Sequence, residues 1–123
     1  MNALGRHVIL DLKQCPADIL DDLPYIQSTL IEAATSIGAT VVGETFHKFS
    51  PQGVTGVVAI AESHICIHTW PEFQFAAADI FTCGEGFDPH AAAQHIIAKL
   101  KAVDATITEL ERGDLETLQM TRS

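Results

Sequence analysis

The chain has 123 residues, 47% of them hydrophobic, with 7 basic against 16 acidic side chains and a formal charge of -9. That length suits one domain over 1–123, and a domain of this size buries roughly two-thirds of its unfolded surface. The acidity argues against nucleic acid and anionic membranes as partners, because both are gripped by clustered Lys and Arg. No apolar run approaches the roughly 18 residues of a membrane span, and no basic stretch followed by an apolar one opens the chain. Cys15, Cys66 and Cys83 are odd in number and sparse, which predicts a reducing cytoplasm rather than a disulfide framework.

Arg6 to Lys13 alternates, with Val8, Leu10 and Leu12 on one face and His7, Ile9 and Asp11 on the other, the pattern of a half-buried strand. From Pro16 to Ile37 the apolar positions Ile19, Leu23, Ile26, Leu30, Ala33 and Ile37 recur at helical steps, and Gly38 suits a left-handed stop. Pro24 predicts a break near the start, with Asp21 or Asp22 capping the longer second piece. Strands are predicted over Ala39–Phe49, Val54–Ala61, His64–Trp70 and Phe75–Cys83, with Ser50–Gly53 as a tight turn. Gly84–Phe87 reads as a loop, and Asp88-Pro89 caps a second helix running to Val103 with Ala93, Ile96, Ile97 and Leu100 inward. Ala105–Leu110 reads as a last strand, followed by a polar tail expected to fray. The expected fold is α/β: a two-layer sandwich, mainly antiparallel, with helices on one sheet face. The other face then needs cover, which a second copy of the chain would supply.

The densest chemistry lies in "AESHICIHTWPEF", Ala61 to Phe73. Alternation puts His64, Cys66, His68 and Trp70 on one strand face. His-x-Cys-x-His suggests a zinc site, but neighbours on that face stand about 7 Å apart and no Cys-x-x-Cys knuckle exists, so metal binding is disfavoured. Singly, each residue also reads as an ordinary strand side chain. Together, Glu62-Ser63, His68 and Cys83 provide a hydroxyl nucleophile, a base and a thiol acid.

The segment "FHKFSPQGVTGVVAIAESHICIHTWPE", followed by "DIFTCG" and preceded by "LGRHVI", resembles the short prokaryotic S-adenosylmethionine decarboxylase proenzymes. The likeness runs from Leu4 through Gly84 and weakly on to Glu111–Gly113. It implies self-cleavage at Glu62-Ser63 into chains 1–62 and 63–123, with Ser63 converted to a pyruvoyl group, and neither metal nor pyridoxal phosphate as cofactor. In that scheme His68 assists processing as a base, supported by the Thr55 hydroxyl. The pyruvoyl carbonyl would form a Schiff base with the substrate amine, and Cys83 would be the proton donor. Phe49 would stack on adenine and Glu72 would grip the ribose hydroxyls. Active sites would lie at a homodimer interface, Ser63 and Cys83 from one protomer and Phe49, His68 and Glu72 from the other. The downstream role implied is supply of aminopropyl groups for spermidine synthesis.

Several positions depart from the more usual pattern. Thr55 stands where Ser is usual, keeping the hydroxyl but stiffening χ1, so slower processing is expected. Asp11 stands where Glu is common, and is expected to line the substrate pocket with its charge drawn inward. Ala61, Cys66 and Gln74 also depart. Relatives with the same pyruvoyl chemistry act on L-ornithine or L-arginine, which lack adenosine; Phe49 and Glu72 favour the nucleoside substrate. A non-catalytic homologue regulating an active partner is the rival of another class, and its signature would be loss of Ser63, His68 or Cys83.

Overall fold

The computed structural model describes residues 3–83 and 86–120. Among these, six strands run β1 (Ala3–Lys13), β2 (Val41–Lys48), β3 (Val54–Ile60), β4 (Ser63–Trp70), β5 (Phe75–Cys83) and β6 (Asp104–Asp114). They form one antiparallel sheet in the order β2-β3-β4-β5-β1-β6. The helices are α1 (Ala17–Leu20), α2 (Leu23–Ser36), α3 (Pro89–Leu100) and α4 (Leu115–Met120). None of them is long and apolar enough to cross a membrane.

Period-two patterning sorts the two faces as expected. Val8, Leu10 and Leu12 are fully buried and meet Val58, Ile65, Ile67, Ala78 and Ile80 beneath α2 and α3. The two longer helices contribute Ile26, Leu30, Ala33, Ala92, Ala93, Ile96 and Leu100 to this layer. Burial of these aliphatic side chains is the main driving force, at about 1.5–3 kcal/mol for each large one. The opposite face stays open, with Val57, Trp70 and Leu110 each about 40% exposed there.

Local signals explain the helix ends. Asp22 accepts from the Tyr25 N–H at 3.1 Å with Pro24 in the first turn, so the break falls between α1 and α2 at Asp21–Asp22. Gly38 adopts φ 81° just after α2, where its missing Cβ removes the left-handed penalty. Asp88 accepts from the N–H groups of His90 and Ala91 at 3.0 and 3.3 Å.

Several assignments differ from the sequence reading. Helix α3 stops at Leu100, not Val103, because Lys101 turns left-handed and the Ala102 N–H reaches back to the Ile97 carbonyl. Ile97 is only partly buried, and Ala92 takes the inward place. β6 runs on to Asp114 because β1 begins at Ala3 and pairs with it along its whole length. The tail does not simply fray: Asp114 caps α4, accepting from the Glu116 N–H and the Thr117 hydroxyl at 3.0 and 3.1 Å. Gly84, Glu85 and Thr121–Ser123, which fall in the expected loop and tail, lie outside the described residues.

One surface cluster ties the helix layer to the sheet edge. Glu109 on β6 accepts from Arg6 Nε on β1 at 2.8 Å and pairs with His90 on α3. These bonds, that of Arg6 foremost, hold the Glu109 carboxyl down at about 2. A depressed acid contributes stability above its unfolded value near 4.5, and the contribution disappears as pH falls toward 2. Because the pair is partly solvated, it is worth at most about 1 kcal/mol. Glu109→Gln is expected to cost that much at pH 7 and nothing at pH 2 in thermal melts; an equal cost at both would contradict the assignment.

Candidate active site

The candidate residues divide into two groups at opposite ends of β4. At its start, Ala61-Glu62 is the two-residue connection between paired Ile60 and Ser63. Such tight hairpins need positive φ, and Glu62 supplies it at 61° without being glycine. A left-handed non-glycine residue costs of order 1 kcal/mol, so the peptide before Ser63 sits in a strained turn. The Ser63 hydroxyl accepts the Cys83 N–H at 3.2 Å across to β5. Behind them, Gly5 on β1 lies opposite Cys83. A Cβ on Gly5 would come within 2.6 Å of the Phe81 ring and 3.1 Å of the Thr82 carbonyl, so only glycine lets that ring lie across β1.

At the other end, Thr55 faces His68 in the β3–β4 register, and its Oγ1 is 3.0 Å from His68 Nδ1. These two line a cavity of about 300 Å³ with Phe49, Gln52, Trp70 and Glu72. Phe49 leaves the end of β2, bonds through its N–H to the Gly53 carbonyl at 2.8 Å, and rests edge-on against His47 at 4.5 Å between centroids. Glu72 is exposed in the Pro71–Phe73 turn. The floor is set by buried Thr69, whose hydroxyl donates to the Leu20 carbonyl at 2.8 Å and accepts from the Val54 N–H at 2.8 Å.

Thus Ser63 and Cys83 meet, as do Phe49, Thr55, His68 and Glu72. The two groups do not meet: Ser63 and His68 are five residues apart on one strand, about 16 Å at 3.3 Å per residue. Asp11 shares an open-face row with Ala77 and His68, but does not line the cavity holding Phe49 and Glu72. Thr69, Trp70 and Gln52 were not singled out by sequence as site residues. Only the density of polar groups around His68 pointed to them. A larger hollow of about 520 Å³ lies beyond Trp70, lined by Phe73 and Phe75, and carries neither Ser63, His68 nor Cys83.

His64, Cys66 and His68 share a face as expected but do not converge. His64 bonds to Asp79 and His68 to Thr55, while burial, aided by the Asp79 charge, pushes the Cys66 thiol up to about 11. Cys66 and the buried Cys15, also raised to about 11, remain protonated thiols at neutral pH.

The S-adenosylmethionine decarboxylase family model matches residues 6–113. The chain belongs to that family. It is 49% identical over 119 residues to the S-adenosylmethionine decarboxylase proenzyme of Moorella thermoacetica, covering 97% of this chain and 95% of that one. The corresponding proenzyme of Caldicellulosiruptor saccharolyticus is 51% identical over 116 residues, 94% of each chain. The crystal structure of the adenosylmethionine decarboxylase from Aquifex aeolicus VF5 superposes with a TM-score of 0.86 at 35% identity, covering 92% of this chain and 93% of that one. Among decarboxylase relatives this close in sequence and length, the two-layer sandwich is the family's own fold.

Proposed function

We propose that the chain is a self-cleaving, pyruvoyl-dependent S-adenosylmethionine decarboxylase of the cytoplasm, supplying aminopropyl groups for spermidine synthesis. The observation that carries the reading is the Ser63 hydroxyl beside Cys83, directly after a left-handed Glu62. In the first step Ser63 Oγ attacks the Glu62 carbonyl, the Glu62–Ser63 C–N bond breaks as its nitrogen takes a proton, and an ester replaces the amide. Removal of the Ser63 α-proton expels the Glu62 carboxylate and leaves dehydroalanine. Water then hydrolyses its imine tautomer, ammonia departs, and a pyruvoyl group caps the 63–123 chain. The residues fit a group made in place: the reacting bond sits in a strained turn, and the Cys83 backbone N–H bonds to the hydroxyl that attacks it.

The pyruvoyl carbonyl supplies an electron sink for loss of carbon dioxide from an α-amino acid. Cys83 returns the proton to the substrate α-carbon. Phe49 offers a flat apolar face for adenine, and the Glu72 carboxylate can accept from both ribose hydroxyls.

The 16 Å gap between Ser63 and His68 supports a homodimer. His68 acts as the processing base at Ser63 only if it comes from a second chain. A two-fold axis near the middle of β4, with open faces packed together, brings the partner's His68, Phe49 and Glu72 to the sheet end that carries Ser63 and Cys83 and covers the exposed Val57, Trp70 and Leu110.

Substrate choice is tested by carbon dioxide release from S-adenosylmethionine, L-ornithine and L-arginine. Turnover of the first alone is expected, and Phe49→Ala should raise its KM about tenfold, the equivalent of the ~1.4 kcal/mol that ring stacking contributes. Preference for either amino acid lacking adenosine would overturn the assignment.

A further inference from the structure

A row of side chains on the open face, one step behind Ser63 and Cys83, has no place in the chemistry above. Asp79 Oδ2 on β5 lies 2.8 Å from His7 Nε2 on β1 and 2.9 Å from His64 Nε2 on β4. Both rings enclose Phe81: His64 stacks on it at 5.8 Å and 16°, and His7 meets it edge-on at 5.5 Å and 73°. One carboxylate oxygen therefore joins three strands around the ring that Gly5 admits.

The same three side chains offer ligand atoms within 4.8 Å of one another, but their bonding opposes a metal. Arg112 Nη1 is 3.1 Å from His7 Nδ1, and a guanidinium only donates, so Nδ1 carries the lone pair. The proton of a neutral His7 is then on Nε2, donated to Asp79, where a metal would need a lone pair.

We propose that Asp79 is a positioning residue which, through His64 and His7, anchors the chain end created by cleavage before Ser63 and keeps it against Cys83. This rests on the self-cleavage reading. Before scission β4 is held at its start by the covalent turn through Glu62. Afterwards residue 63 is a new terminus, and termini fray unless tied down. His64 is the first side chain behind the cut, and Asp79 stands four residues before Cys83 on the same strand face.

The test compares Asp79→Leu with the unchanged chain, each in the cleaved form and in a Ser63→Ala background that stays whole. In the cleaved form Asp79→Leu is expected to lower kcat about 10- to 100-fold, the scale of a misplacement near 1 Å, with KM within about threefold. Amide exchange over 64–68 should rise there and stay unchanged in the whole chain. Asp79→Asn, which keeps an oxygen able to accept from both rings, should recover most of kcat. If Asp79→Leu does not fold, His64→Phe carries the same comparison, since it keeps the stack on Phe81 and deletes only the N–H. Equal loss of protection in cleaved and whole chains, unchanged kcat, or failure of the variant to cleave would each overturn the anchor while leaving self-cleavage intact. An uncleaved unsubstituted chain would sink both.

Discussion

Ser63→Ala is expected to leave a folded single chain of 13.3 kDa with no reactive carbonyl and no carbon dioxide release from S-adenosylmethionine. The substitution removes the only atom proposed to attack Glu62, and the contact Cys83 makes with Ser63 is through its backbone N–H. Structurally the change is mild. Ser63 is half-buried at the start of β4, and loss of one hydrogen-bond acceptor for a partly buried N–H costs about 1–3 kcal/mol. The contrast between an intact melt and total loss of turnover separates chemistry from folding. Circular dichroism, intact mass and a carbon dioxide assay on one preparation read all three. Cleavage persisting in the variant would remove Ser63 from the mechanism.

The second large effect is recovery of activity from two inactive chains. Cys83→Ala and Glu72→Gln should each fall by two or more orders of magnitude, the general size of losing a positioned acid or a transition-state contact. Co-expressed in equal amounts, they should regain about a quarter of normal turnover, because half the dimers are mixed and a two-fold interface gives each mixed dimer one intact site. The 16 Å between Ser63 and His68 along β4 is the physical reason. Neither half-site in one chain is complete, and open faces packed about a two-fold axis would complete both. Absence of recovery, in a preparation shown by mass to contain mixed dimers, would place the whole site within one chain and contradict the dimer.

Much of this was legible in the sequence because it depends on short-range patterns. Alternation sorted Val8, Leu10 and Leu12 from His7, Ile9 and Asp11, and the caps at Asp22 and Asp88 follow from side-chain reach over two or three residues. The Glu-Ser-His and Phe-Thr-Cys-Gly motifs marked Ser63 and Cys83 before any contact between them was known. Helix α4 was missed because its signal is a single Asp114 cap ahead of a six-residue segment, too short for periodicity to register. Phe49, Thr55, His68 and Glu72 cluster through the hairpins that join β2 to β3 and β3 to β4, so they stay close in sequence. The anchor is different in kind: His7, His64 and Asp79 come from three strands and meet only through the order β4-β5-β1. No spacing rule along one chain encodes that row. Nor does one describe Gly5, whose need to be glycine comes from a ring that arrives 76 residues later in the chain, at Phe81.

The most direct test of the central claim is an intact mass spectrum of the purified protein under denaturing conditions, with a carbonyl-reactive probe alongside. Two chains split between Glu62 and Ser63 are expected, with the 63–123 chain blocked at its N-terminus and positive for a carbonyl. A single chain of 13.3 kDa without a reactive carbonyl, still uncleaved after Thr55→Ser removes the methyl that stiffens the hydroxyl beside His68, would contradict the account.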